Sequence, residues 1–272
     1  MSSVNSSTIS YRGTGGDVTA YLVRPHGASG PRPAVIVIHA IFGLNDHIRR
    51  VADRVAALGY VALAPHLYSY GELAEVFAPE NVATGMKFMQ GLDPAKRGDP
   101  SYIQQKLSEV PQEKREGVSR MMGKMFAGMP MAQLRDDLVP AAEYLESQSY
   151  VTKGKVGSVG FCMGGSLSIS LACRRPISAC VLFYGQNPSP IEEVESIRGP
   201  VMGLYGAEDM RVNADLDKLV AAMVKYKKDF QMKTYLGAAH EFFNDTNPMS
   251  YREAAAKDAW ERVAAFYSKA LG

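Results

Sequence analysis

The sequence predicts an α/β fold, a mostly parallel central sheet with helices on both faces. Three observations carry that expectation. Continuous β-branched runs such as "AVIVIHA" (34–40) and "YVALAP" (60–65) have the pattern of strands buried on both faces. Amphipathic stretches of helical period stand between such runs, so strand and helix alternate along the chain. The length of 272 residues suits one large domain of this class.

Taken in order, "DVTAYLVRP" reads as a short early strand and "GASGPRP" as the turn after it. "AVIVIHA" is the first fully buried strand. The stretch "NDHIRRVADRVAALGY" follows as a helix with Ile48, Val51, Ala52, Val55 and Leu58 on one face and Gly59 as its stop. "YVALAP" is the next buried strand, and "KVGSVGF", "ACVLFYG", "VMGLYG" and "FQMKTYL" supply four more. Asn213 is expected to cap a helix that carries Leu216, Leu219, Val220 and Met223. The closing "SYREAAAKDAWERVAAFYSKAL" has the pattern of a long amphipathic helix.

One segment interrupts the alternation. Residues from 71 to about 130 hold no strand-like run, only helical patches between Gly and Pro breaks. Seven of the 14 methionines fall there or at its edge: Met86, Met89, Met121, Met122, Met125, Met129 and Met131. Methionine is a flexible gap-filler in small helical cores. The same residues could also line a helical cap contacting an apolar substrate. With no repeat or low-complexity linker, the expectation is a single domain over 1–272 with a helical cap insertion at about 71–130.

Composition narrows the function classes. A hydrophobic share of 46%, a charged share of 21% and a formal charge of +2 describe an ordinary globular protein without a nucleic-acid footprint. No apolar run approaches the roughly 18 residues of a membrane span, and "MSSVNSSTISY" lacks the apolar core of a signal peptide. Cys162, Cys173 and Cys180 are too few for a disulfide framework and lack metal-ligand spacing, so a reducing cytoplasm is the expected location.

The chemistry gathers at "KVGSVGFCMGGSLSIS". Gly160-Phe161-Cys162-Met163-Gly164 spells G-x-C-x-G between a buried strand and a helix, the nucleophile-elbow pattern with sulfur in place of a hydroxyl. Such a nucleophile is followed in the chain by an acid and then a histidine. Asp209 follows the strand "VMGLYG", and His240 follows "FQMKTYLG", each just past the carboxyl end of a strand, where open α/β sheets place their ligands. Glu208 competes with Asp209 for the acid position. Of the other histidines, His26 and His47 read as loop or surface residues and His66 as a packing residue, while His39 has neither the order nor the position.

The chain resembles the dienelactone hydrolase family of α/β-hydrolases from about residue 18 to its end. The likeness rests on "VIVIHAIFGLNDHIRRVADRVAALGYVALAPHLY", "KVGSVGFCMGG", "YGAEDMRV" and "AAHEFFNDTNP". It implies an α/β-hydrolase fold and a carboxymethylenebutenolidase-like hydrolase of ester and lactone bonds. In that likeness Cys162 is the nucleophile, His240 the base and Asp209 its orienting acid. The backbone N–H groups of Ile41 and Met163 are the oxyanion donors, and "HAIFG" occupies the first oxyanion loop. The implied partner is a small-molecule ester or lactone, with no cofactor, metal, nucleic acid or membrane, and with the oligomeric state open.

The chain departs from the family pattern in three places. Ala40 stands where those enzymes carry a glutamate beside the cysteine; without that charge, the helix N-terminus and His240 both favour a thiolate at Cys162. Asn244 stands at a substrate-binding position where a clamp arginine resembles a carboxylate anchor. The 71–130 insertion is longer, with Arg115 and Arg120 as the available cations. These differences keep two alternatives open: a non-catalytic or redox-sensing member of the fold, and a thioesterase.

Overall fold

The computed structural model describes residues 4–27, 29–93, 96 and 98–272. The chain forms two compact units, one of residues 1–67 and 132–272, the other of residues 68–131.

The larger unit is built on an eight-stranded sheet. Its strands are β1 (Val4–Arg12), β2 (Asp17–Pro25), β3 (Arg32–Ile38), β4 (Val61–Pro65), β5 (Val151–Phe161), β6 (Ala179–Phe183), β7 (Val201–Gly206) and β8 (Phe230–Tyr235). They lie in the order β1-β2-β4-β3-β5-β6-β7-β8. β1 and β2, and β2 and β4, pair antiparallel, and every pairing from β4 through β3 to β8 is parallel. The fold is thus α/β with a mostly parallel sheet, as the alternation predicts.

The continuous apolar strands are buried on both faces because each face meets helices. On one face Val35, Val37, Val159, Phe161, Val181 and Phe183 join a core with α1 (Asp46–Ala57) and α11 (Glu253–Leu271). Burying each such side chain stabilises the fold by roughly 1.5–3 kcal/mol. The alternate strand positions face α7 (Leu138–Ser147) and α8 (Met163–Arg174). There Ser158 of β5 hydrogen-bonds Ser168 of α8 at 2.8 Å, and Ser168 donates to the Val181 carbonyl at 2.9 Å.

Several local expectations need correction. β1 is an edge strand whose residues Asn5 to Thr8 are exposed, and its polar "VNSSTISYR" carries no apolar signal. Leu58 lies past the end of α1 and is 38% exposed, so the apolar face ends at Val55 and Ala56. β8 is the opposite edge, exposed from Gln231 to Thr234, so it is not a buried strand. Asn213 caps nothing: it closes the short helix α9 (Met210–Asn213), and its amide donates to the carbonyls of Gly206 at 2.8 Å and Ala207 at 3.3 Å. The cap position of α10 (Leu216–Lys225) is Asp215.

The smaller unit is helical, with α2 (Gly71–Val76), α3 (Pro79–Gln90), α4 (Pro100–Ser108) and α5 (Gln112–Ala127). α6 (Met131–Asp136) leads back to the larger unit. Met121 and Met122 are buried, with Met121 lying over Gly85 where α3 and α5 meet. These two methionines fill gaps in a small core. Among the described residues no helix is long and apolar enough to cross a membrane.

Candidate active site

The site begins where β5 becomes α8. Cys162 takes the left-handed conformation with φ 55° and ψ −117°, and its N–H donates to the Phe183 carbonyl at 3.0 Å. So sharp a turn leaves no room for side chains on either flank. A Cβ on Gly160 would collide with the Gly164 carbonyl, and one on Gly164 with the carbonyls of Ile38 and His39. The second contact lays the end of β3 directly against the elbow. Cys162 is half-buried at the N-terminus of α8, where the helix dipole favours negative charge.

Asp209 and His240 come together as the chain order predicts. Asp209 follows β7, is 6% exposed, and its Oδ2 accepts from His240 Nδ1 at 2.5 Å. Its Oδ1 accepts from the Val212 N–H at 3.4 Å. Glu208, the competitor, is exposed and accepts instead from the Gly237 N–H. The Asp209 carboxyl is held below its ordinary range: burial pushes it up, but the His240 hydrogen bond and charge, the Val212 N–H and Arg211 outweigh burial.

With Nδ1 committed to Asp209, the other ring nitrogen of His240 is left for chemistry. Nε2 is buried and has no hydrogen-bond partner of regular geometry. Burial opposes a charged imidazole, yet Asp209 and Cys162 together push the His240 pKa up to about 10. A rise caused by the sulfur means that His240 and Cys162 share one electrostatic site.

Ile41 is half-buried in the turn after β3, where the Gly43 N–H donates to the Ala40 carbonyl at 3.1 Å. Met163 is the first residue of α8 and is buried. Asn244 is half-buried in the loop after His240, and its Oδ1 accepts from the Thr246 N–H at 3.1 Å and hydroxyl at 2.7 Å. That oxygen shapes the loop. In the smaller unit, Arg115 donates to the carbonyls of Ser108 and Val110, and Arg120 pairs with Glu75.

Two histidines have structural work that spacing does not reveal. His47 is buried, not on the surface: α1 turns it inward against Phe161 and Phe243, and Asp245 lies 3.1 Å from its Nδ1. His39 is fully buried at the end of β3. Its Nε2 accepts from the Leu67 N–H at 3.1 Å, so Nδ1 carries the hydrogen and donates to the Ala40 carbonyl at 2.7 Å. His39 therefore braces the turn that contains Ile41. Among the described residues no group of three or more His, Cys, Asp or Glu could hold a metal ion.

Comparison with known proteins agrees with the fold. Residues 18–271 match the dienelactone hydrolase family. A protein of Saccharolobus solfataricus, provisionally named carboxymethylenebutenolidase, is 42% identical over 95% of this chain and 96% of its own length. One of the same provisional name from Synechocystis is 30% identical over 93% of this chain and 92% of its own. A crystal structure from Klebsiella pneumoniae, provisionally titled dienelactone hydrolase, superposes with a TM-score of 0.70 at 28% identity over 98% of this chain and 99% of that one. Elbow, strand order and relatives converge: the chain belongs to the dienelactone hydrolase family and is a hydrolase of ester or lactone bonds.

Proposed function

We propose that the protein cleaves its ester or lactone substrate by covalent catalysis, through an acyl-thioester on Cys162. The observation that carries this reading is the 2.5 Å hydrogen bond from His240 Nδ1 to Asp209 Oδ2 beside a cysteine on a strained, glycine-flanked turn. His240 holds the proton and Cys162 attacks the acyl carbon as a thiolate. The amides of Ile41 and Met163 receive the developing oxyanion, the largest single contribution in catalysis of this kind. The intermediate collapses as His240 gives its proton to the leaving alkoxide. The neutral imidazole then takes a proton from water, the hydroxide adds to the thioester carbonyl, and the thiolate departs. Acid product and the original ion pair result, so the protons balance over one cycle. Asp209 keeps the ring in one tautomer throughout.

Thiolates are good nucleophiles and are easily expelled, so enol esters, lactones and activated aryl esters suit this site best. With Asn244 at the clamp position, neutral acyl groups are preferred over carboxylate-bearing ones. The test is turnover of p-nitrophenyl esters, neutral and carboxylate-bearing, with rapid-quench mass spectrometry of the Cys162 peptide. A thioester adduct on Cys162 and loss of turnover in Cys162→Ala are expected. Parent-like turnover in Cys162→Ala would overturn the assignment.

A further inference from the structure

Of the four non-glycine residues with positive φ among the described residues, three belong to one neighbourhood: Cys162, Tyr184 and Glu241. Backbone strain of this sort persists only where its surroundings over-determine it, and it concentrates at functional sites. Cys162 and Glu241 are accounted for by the elbow and by adjacency to His240. Tyr184 is not, and a bulky aromatic at φ 41° is a true outlier.

The surroundings show what the outlier achieves. Tyr184 follows the last residue of β6, and its N–H donates to the Leu204 carbonyl at 2.8 Å, which fixes the backbone. The left-handed turn aims the ring away from a strand's regular alternation and against His240, with ring centroids 4.9 Å apart and planes inclined at 56°. Phe242 at 5.6 Å and Phe183 at 6.0 Å hold the ring from other sides, and Tyr184 is only 2% exposed. We infer that Tyr184 is a positioning residue whose aromatic ring stabilises the protonated form of His240 by a cation–π interaction.

A cation over the face of an aromatic ring, within about 6 Å of its centroid, is attracted by the ring quadrupole, most strongly when water is excluded. His240 Nδ1 is committed to Asp209 and Cys162 acts on the imidazole electrostatically, so the Tyr184 ring acts on the imidazolium as a whole. The other charged groups near the pair are Arg211, which acts on Asp209, and Glu241, which acts on Tyr184. Burial and the charges of Glu241, Cys162 and Asp209 raise the Tyr184 hydroxyl well above its ordinary range, so the phenol stays neutral. Tyr184 thus joins Asp209 and Cys162 in keeping the proton on His240, the state from which the proposed thiolate attack starts. The consequence for turnover rests on that proposed mechanism; the stabilisation itself does not.

The experiment replaces Tyr184 with phenylalanine and then with 4-fluoro-, 3,5-difluoro- and 3,4,5-trifluorophenylalanine, which weaken the quadrupole at nearly constant shape. The full-length protein is titrated by ring-nitrogen NMR without substrate, with His240→Gln identifying the resonance. Tyr184→Phe should titrate like the parent. Successive fluorines should lower the His240 midpoint stepwise, by about one pH unit in total. A midpoint that stays flat across the series reduces Tyr184 to a packing partner and overturns the inference. A stepwise fall in a protein whose esterase activity survives Cys162→Ala would sink the covalent mechanism and leave this interaction standing.

Discussion

Asp209 Oδ2 and His240 Nδ1 lie 2.5 Å apart, with the carboxylate buried and the imidazole reaching toward Cys162. Asp209→Asn would keep the volume but remove the charge and allow the wrong tautomer. Turnover should fall by about 10³–10⁴. Stability should change with a definite sign. The His240 pKa is raised from 6.5 to about 10 on folding, so its contribution is complete below about pH 6.5 and is lost as pH rises through about 10. Urea midpoints measured up the alkaline limb should therefore fall in the parent and fall less in Asp209→Asn. Parallel limbs would show that the pair does not hold the proton.

The three cysteines should separate cleanly by alkylation. Burial pushes Cys173 up to about 12 and Cys180 up to about 11, with neighbouring charge adding to the first. Neither is a nucleophile at neutral pH. Iodoacetamide at neutral pH should label the half-buried Cys162, beside a helix N-terminus and His240, fast and the two buried cysteines slowly. His240→Ala should abolish that advantage, and Ala40→Glu should slow labelling by placing a like charge beside the sulfur. Equal labelling of all three peptides, unaffected by either change, would remove the ion pair from the mechanism.

The parts of this site that sequence discloses are those set by local chemistry. A strand buried on both faces must be continuously apolar, and a turn between strand and helix without room for Cβ atoms must be glycine. Both leave marks that read directly, as does the order of Cys162, Asp209 and His240. What stays hidden depends on contacts distant in sequence. β1 is polar because one edge of a sheet needs only backbone pairing, here all along Asp17–Pro25. His47 is buried because Phe161 and Phe243 arrive from elsewhere. Tyr184 reads as one more aromatic at the end of a strand, since a positive φ on a non-glycine residue has no sequence signature.

Gly160 tests how tightly the elbow is packed. A methyl group there would press on the carbonyl of Gly164, and backbone cannot swing aside as a side chain can. Gly160→Ala should cost about 3 kcal/mol or prevent folding. Gly123 is the control: it lies inside α5 with open space around its Cβ position, so Gly123→Ala should gain about 0.5–1 kcal/mol from helix propensity alone. Urea unfolding of both variants reads the contrast. A Gly160→Ala protein as stable as its parent would mean that the elbow is looser than its geometry implies.

His39 gives the fold an acid weakness at the turn that follows β3. Complete burial pushes its pKa down from 6.5 to about 3, despite the hydrogen bond to the Ala40 carbonyl that favours charge. Protonation would also force Nε2 to release the Leu67 N–H, which it accepts only as a lone pair. A depressed histidine contributes fully above about pH 6.5, where both states are neutral. Below that, the unfolded chain binds a proton that the native state refuses, so stability falls toward pH 3. Between about pH 7.5 and 5.5 the loss from this one residue is about 1.4 kcal/mol, set by the unfolded pKa alone. His47 and His66 are also lowered by burial and add to the same slope. His39→Gln keeps an acceptor for Leu67 but cannot titrate, so it should be less stable at neutral pH yet lose less on acidification. Urea midpoints of both proteins across that range decide the matter; equal slopes would mean that His39 already shares a proton in the native state.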